Sequence, residues 1–183
     1  MNKLRPTLWR TCRVLACETR LEMLRLLFKK GELCVSEMAD LTGISAHNAS
    51  TQLRALNARG LITLRRENQK VIYRAEANGE LSAAPTLLEA VRNAFEKKTP
   101  VRTVFHLCTA FTHDRRVWIV RILTEGPQSF GELLEKTGMS PSALWNHLEK
   151  LSARGFVKKQ GGHYRLARVK DPLRRALRQT ACE

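Results

Sequence analysis

The apolar residues in the first part of the chain recur every three or four positions, which is the period of helices that pack on one side. They predict four consecutive helices, covering residues 6–16, 19–30 and 35–41 and, after Ser45, the segment up to Gly60. The stripe is clearest in the second helix, at Leu21, Leu24, Leu27 and Phe28. Glycine and proline at the predicted ends support these limits, because proline suits a first turn and glycine suits a C-terminal end.

Two short β-prone runs follow, and they predict a hairpin. They are residues 61–65 and 71–74, joined by Glu67-Asn68-Gln69-Lys70. The third and fourth helices meet at the tight turn Thr42-Gly43. A helix pair with a tight turn, followed by a hairpin, predicts a winged helix-turn-helix domain.

The same pattern occurs a second time, about 95 residues further along. A shift of 95 aligns Arg20 with Arg115 and continues without a gap through the fourth helix. Other identities in this register are Gly31 with Gly126, Glu37 with Glu132, Thr42-Gly43 with Thr137-Gly138, Ser45 with Ser140, and Ala58-Arg59-Gly60 with Ala153-Arg154-Gly155. Tyr73 corresponds to Tyr164, so the second hairpin is four residues shorter. The chain is therefore interpreted as a tandem duplication.

Three further helices complete the predicted architecture: residues 84–98 between the repeats, 101–112 and 172–180. The predicted fold is mainly α with small β-hairpin wings, in two tandem winged helix-turn-helix domains. The first copy spans residues 1–98 and ends in a helix of the dimerisation type. The second copy spans residues 99–183 and ends in a basic helix. The two copies are expected to form an intramolecular pseudo-dimer, with a homodimer of chains as the alternative.

The fourth helix of the first copy is the predicted DNA-reading helix, since a single helix fits into the major groove. Ala49, Leu53 and Leu56 are predicted to face the core. The side chains predicted to point outward, towards bases and phosphates, are His47, Asn48, Ser50, Thr51, Gln52 and Arg54. On the hairpin, Arg65, Arg66 and Lys70 are predicted to contact phosphates or the minor groove.

The second copy differs at these positions, having Trp145 in place of Ser50 and Glu149 in place of Arg54. Its predicted DNA-facing residues are Ser142, Trp145, Asn146, His147, Lys158 and Lys159. Trp145 has two open interpretations, a contact with a thymine methyl group or packing against another protein. The two copies are therefore not expected to read identical half-sites.

The charge of the chain agrees with a polyanionic partner. The chain has 32 Lys and Arg residues against 17 Asp and Glu, a net charge of +15. Double-stranded DNA is the predicted partner. The last 26 residues are especially basic and are expected to add phosphate contacts.

Composition also limits the other function classes. Apolar runs are too short for a spanning helix, and basic residues interrupt any signal-peptide core, so a cytoplasmic location without membrane association is expected. No catalytic triad, phosphate-binding loop or paired-carboxylate motif occurs, so an enzyme is not expected, and no cofactor is predicted.

Two segments of the first copy resemble the arsenic-repressor (ArsR/SmtB-like) family of bacterial winged-helix regulators. They are residues 15–21, Leu-Ala-Cys-Glu-Thr-Arg-Leu, and residues 32–56, including Glu-Leu-Cys-Val-Ser-Glu-Met. The resemblance covers residues 8–98 well and the second copy more weakly. It implies a sequence-specific DNA-binding regulator, typically a repressor and a dimer joined through its first and last helices. Many such proteins release DNA when a metal or metalloid binds.

The metal-binding residues implied by the resemblance are absent. Cys34 is present, but Ser36 and Ala39 occupy the positions of the further thiolates, and one thiolate cannot form a soft-metal site. The helix over residues 84–98 has no His or Cys for a zinc-type site. No metal site is therefore predicted, and the Cys34 position is interpreted as a helix cap.

Two alternatives to the DNA-binding regulator remain open at this point. One is a winged-helix adaptor that binds protein, favoured by Trp145. The other is a thiol- or metalloid-responsive sensor that uses Cys12, Cys17 and Cys34.

Overall fold

A computed structural model describes residues 7–79 and 83–182. The first copy contains α1 (Leu8–Leu15), α2 (Glu18–Lys30), β1 (Glu32–Cys34), α3 (Val35–Thr42), α4 (Ala46–Asn57), β2 (Thr63–Glu67), β3 (Lys70–Arg74) and α5 (Ala83–Glu96). The second copy contains α6 (Val101–Cys108), a 3-10 turn (Thr109–Phe111), α7 (Asp114–Ile122), β4 (Gln128–Ser129), α8 (Phe130–Thr137), α9 (Pro141–Ala153), β5 (Val157–Gln160), β6 (His163–Leu166) and α10 (Pro172–Cys182). The predicted fold class, two winged helix-turn-helix units in tandem, is confirmed. Pro6, where the first helix was predicted to begin, lies outside the described residues.

Each wing is part of a three-stranded antiparallel sheet rather than a free hairpin. β1 pairs with β3 in the first copy, and β4 pairs with β6 in the second. Leu33 is opposite Tyr73, and Gln128 is opposite Tyr164. The matched register confirms that Tyr73 and Tyr164 are equivalent. The extra strand ties each wing to the start of the third helix, which limits how far the wing can move.

The predicted repeat register is wrong by one residue in the second helix of each copy. Arg116, and not Arg115, repeats the bond of Arg20 to the end of the preceding helix. Arg20 Nε donates to the carbonyl of Val14 at 2.5 Å, and Arg116 Nε donates to that of Ala110 at 2.5 Å. The shift is therefore 96 at the start of this helix and 95 from Gly31 onward, because the second copy is one residue shorter between helix start and glycine.

Local interactions fix the helix-turn-helix geometry in both copies. Gly43 and Gly138 end α3 and α8 in the left-handed conformation, with φ of 69° and 63°, which glycine adopts without steric cost. Cys34 caps α3, and its backbone N–H donates to Glu37 at 2.7 Å. This bond lowers the pKa of Glu37. The prediction that the Cys34 position is a cap is confirmed.

A continuous hydrophobic core runs through both copies. α1 packs on α6 and the 3-10 turn, and α5 packs along α10. Phe111, which is fully buried, contacts Phe156 edge to face, with ring centroids 4.8 Å apart. The copies are thus joined mainly through their first and last helices, and α2 of the first copy also packs on α6.

Candidate nucleic-acid interface

The helix α4 presents a mixed face of polar side chains to solvent. It begins after Ser45, whose hydroxyl accepts a hydrogen bond from the Asn48 N–H at 3.2 Å. The predicted core face is confirmed, since Ala49, Leu53 and Leu56 are fully buried. The exposed residues of the opposite face are His47, Asn48, Thr51 and Arg54. Within this face, Thr51 Oγ1 donates to the carbonyl of His47 at 3.0 Å and Arg54 Nε to that of Ser50 at 3.4 Å. The side chains of this face are otherwise turned to solvent and have the polar groups that bond bases and phosphates.

Two residues predicted to point outward are half-buried instead. Gln52 lies against α2, where its Oε1 accepts a hydrogen bond from Arg20 Nη1 at 2.7 Å. Ser50 is also only partly exposed. Their positions flank the core stripe, so the packing of α4 on α2 covers them. Arg20, the residue that bonds Gln52, is part of the sequence repeat and of the family resemblance, but the sequence did not indicate this contact.

The cations on the wing of the first copy differ in whether they form ion pairs. Arg65 donates to Glu32 at 2.8 Å and to Glu67 at 2.7 Å, so two carboxylates neutralise it. The guanidinium correspondingly lowers the pKa of Glu32. Arg66 and Lys70 are exposed. Neither of these two cations forms an ion pair with a carboxylate of the described residues, in contrast to Arg65.

The helix α9 of the second copy begins at Pro141 and buries Leu144, Leu148 and Leu151. Its exposed residues include Ser142, Trp145, Asn146, Glu149 and Lys150. Trp145 is 50% exposed, an unusual state for so large an apolar side chain. α9 therefore presents an aromatic side chain at the position where α4 has a small polar one, Ser50.

His147, predicted to face DNA, is half-buried in the middle of α9. It occupies the position of Gln52, and its ring centroid lies 4.9 Å from that of His113. Burial, with the nearby His113 and Arg116, lowers the pKa of His147 to about 4. The imidazole is therefore neutral at pH 7, and it does not act as a cation towards phosphate.

The wing of the second copy is basic. Lys158 and Lys159 are exposed on β5, and Lys159 lies 5.5 Å from the centre of the Tyr164 ring. The strands join at Gly161-Gly162, both in the left-handed region. Within the described residues, no carboxylate forms an ion pair with either lysine, in contrast to the first wing.

The basic tail contributes fewer accessible cations than its composition predicts. Arg178 donates to the carbonyl of Ala167 at 3.1 Å, and Arg174 lies against Gly155. Both are half-buried, whereas Arg175 is exposed. Arg174 and Arg178 thus pack against the second copy itself and are not free on the surface.

The three cysteines of the sensor alternative lie in different elements of the fold. Cys12 is fully buried in α1, Cys17 precedes α2, and Cys34 caps α3. The structure contains them as free thiols. Across residues 7–79 and 83–182, no three or more His, Cys, Asp or Glu side chains are grouped in a way that would hold a metal ion. In the same part of the chain, no helix has both the length and the apolar character needed to cross a membrane.

This fold and this exposed polar helix define a winged-helix DNA-binding transcriptional regulator. A family model described as bacterial regulatory protein, arsR family, matches residues 17–63 and again residues 113–159. Together the two matches span just over half of the chain. The chain belongs to the arsR family of bacterial regulatory proteins and carries the family's domain twice, which confirms the resemblance and the duplication.

Solved structures similar to this chain include the following three. The homodimeric winged helix-turn-helix DNA-binding domain of Mb0332 from Mycobacterium bovis, a possible ArsR-family transcriptional regulator, is 34% identical; the match covers 46% of this chain and 77% of that chain, with a TM-score of 0.38. The AntR antimony-specific transcriptional repressor is 28% identical, with coverages of 48% and 76% and a TM-score of 0.38. Human N-acetylserotonin methyltransferase in complex with SAM is 19% identical, with coverages of 81% and 39% and a TM-score of 0.35. A match at that level supports no inference about activity.

Proposed function

We propose that the chain represses transcription by binding an asymmetric operator as an intramolecular pseudo-dimer. The division into residues 1–98 and 99–183 then separates two DNA-binding halves of one molecule. The observation that carries the proposal is the packing of the first and last helices of one copy on those of the other. Mb0332, a similar protein, is homodimeric, and here the second half is supplied by the same chain.

The helices that pack between the copies bury equivalent positions. The buried residues Leu8, Cys12 and Leu15 of the first copy correspond to Val104, Cys108 and Phe111 of the second. The buried residues Leu87, Ala90, Val91 and Ala94 of α5 correspond to Leu173, Ala176, Leu177 and Thr180 of α10. Repetition of one buried pattern on both sides is the property of a two-fold interface. In a two-fold arrangement of winged helices, the two DNA-reading helices face major grooves about one helical turn apart.

In this proposal, the two copies recognise DNA with different side chains. In the first copy, the proposal assigns contacts with base edges or phosphates to Asn48 and Arg54, which are exposed on α4, and phosphate contacts to Arg66 and Lys70 on the wing. In the second copy, Trp145 and Asn146 lie on the exposed face, beside Lys158 and Lys159. Amide and guanidinium groups discriminate bases by paired hydrogen bonds, whereas an aromatic ring contacts a thymine methyl group. The expected operator is therefore two unlike half-sites.

Selection of bound duplexes from a random pool tests this proposal. The expected product is a bipartite sequence with different halves. Repeating the selection with Asn48→Ala should relax positions in one half only, and Asn146→Ala should relax positions in the other. Recovery of no preferred sequence, at low and at physiological salt, would contradict the proposal. Placing the selected site over a promoter then tests for repression.

A protein-binding role for the second copy is the second candidate, because Trp145 is 50% exposed on α9. Under this alternative, the selected sequence contains a single half-site, read by the first copy. Trp145→Ser would then leave DNA affinity unchanged.

A further inference from the structure

Arg20 connects the DNA-reading helix of the first copy to the helix that joins the copies. From α2, its guanidinium donates to the carbonyls of Val14 at 2.5 Å and Arg13 at 3.3 Å, in the last turn of α1. Its Nη1 donates to Gln52 on α4 at 2.7 Å. One planar group thus fixes three helices relative to each other, because the donors of a guanidinium are held in a rigid plane.

In the second copy, different hydrogen bonds connect the DNA-reading helix to the contact between the copies. Arg154, at the end of α9, donates from Nε to the hydroxyl of Thr109 at 2.6 Å and from Nη1 to the carbonyl of Lys150 at 3.0 Å. Thr109 opens the 3-10 turn that follows α6. Its carbonyl also accepts a bond from Arg116 Nη2 at 3.2 Å. Thr109 therefore links α7 and α9 at one point.

Both connections end at the contact between the copies. Thr109 corresponds to Arg13 in the register that aligns Arg20 with Arg116. α1 packs directly on the 3-10 turn that begins at Thr109. The two DNA-reading helices are therefore each tied by an arginine to the same interface, one through Gln52 and one through the C-terminal end of α9.

We infer that Arg20 and Arg154 are positioning residues that set the separation and angle of the two DNA-reading helices, and so the half-site spacing that the protein accepts. This inference rests on the proposed bipartite DNA binding. Neither residue needs to touch DNA for this role. Simultaneous binding of two half-sites raises affinity only when the geometry of the protein matches that of the duplex. A change of one base pair shifts a half-site by about 3.4 Å along the axis and also rotates it.

The test is the affinity of purified full-length chain for a series of duplexes. Each duplex carries the two selected half-sites at the selected spacing or with one or two base pairs added or removed. The wild-type chain should lose affinity by about tenfold or more at two added base pairs. The Arg20→Met and Arg154→Met variants should bind the duplex with the selected spacing more weakly than the wild-type chain does. For each variant, the ratio of its affinity at the selected spacing to its affinity at two added base pairs should fall to about threefold or less.

Two comparisons separate positioning from a general loss of structure. Gln52→Leu cuts the connection to α4 but leaves the bonds of Arg20 to α1, so it should compress the ratio even if Arg20→Met folds poorly. Arg25→Met is the matched control, because Arg25 is an exposed arginine of α2 that bonds Glu22. It should retain the wild-type ratio.

An unchanged spacing ratio in both Gln52→Leu and Arg154→Met overturns the inference, as does a wild-type chain that binds all spacings equally. Failure of the proposed function gives a different result, which is absence of preference for the selected half-sites over random duplex in the wild-type chain itself.

Discussion

The guanidinium of Arg65 lies 2.8 Å from the carboxylate of Glu32. The pair joins the wing to β1, and Glu67 completes it from the other side at 2.7 Å. All three side chains are substantially exposed. Exposed pairs of this kind add little stability. Their main effect here is electrostatic, because the two carboxylates offset the charge of Arg65 and the first wing presents less positive charge to solvent than its number of cations suggests.

Removal of one of these carboxylates should strengthen DNA binding. Glu67→Gln frees Arg65 from one partner and removes a negative charge next to the phosphates. Affinity for any duplex should rise, and the slope of log affinity against log salt should become steeper by about one unit or less. Fluorescence anisotropy between about 50 and 200 mM salt measures both. Glu96→Gln, which changes net charge equally at the end of α5, should have a much smaller effect; equal effects would refute the local explanation.

Residues of α4 and of the wing should affect binding in different ways. Asn48→Ala should cost about 1–3 kcal/mol on the selected duplex and almost nothing on random DNA, because it removes base discrimination. Lys70→Gln should weaken both duplexes alike and reduce the salt slope by about one unit. Parallel titrations with the two duplexes give the comparison. Equal losses for Asn48→Ala on both duplexes would remove Asn48 from base recognition.

His147 should make the stability of the second copy depend on pH. Its pKa in the folded chain is about 4, against an ordinary 6.5, mainly because of burial and next because of His113. The unfolded chain therefore binds a proton between pH 6.5 and 4 that the folded chain does not, and the free energy of unfolding falls as pH decreases through this window. Above pH 6.5 this contribution is fully present.

His147→Gln should flatten the pH dependence between pH 6.5 and 4, because glutamine does not titrate and is the residue that the first copy has at this position. Urea unfolding across this range gives the free energies. His163→Gln, at an exposed wing histidine, is the control, since it leaves the component from His147 in place. A pH dependence unchanged by His147→Gln would contradict the assignment.

The thiols of Cys12 and Cys108 should be unreactive in the folded protein. Cys12 and Cys108 are fully buried; burial raises the pKa of Cys108 to about 12 and also raises that of Cys12. Since the thiolate is the reactive form, both should alkylate orders of magnitude more slowly than in denaturant. Timed labelling followed by peptide mass spectrometry measures the rates. Rapid labelling of native Cys12, with loss of DNA binding, would support the thiol-sensor alternative instead.

Local patterns in the sequence were sufficient to predict much of this fold. The limits of α4 follow from Ser45 and its core stripe, and the duplication follows from identities at a near-constant shift. β1 and β4 were not predicted, because strands of two or three residues have no periodicity and pair with residues far along the chain. The inward position of Gln52 was also missed, because its partner Arg20 is 32 residues away. Local sequence pattern thus predicts the buried face and the two ends of a helix, whereas the burial of residues at the edge of that face depends on tertiary packing.

The number of chains on one operator tests the central claim most directly. Sedimentation equilibrium of the complex with the selected bipartite duplex gives this number. The pseudo-dimer predicts one chain per duplex, protection of both half-sites, and affinity that does not depend on association of free chains. A minimal complex of two chains per duplex, with one copy of each chain in contact with DNA, would contradict it.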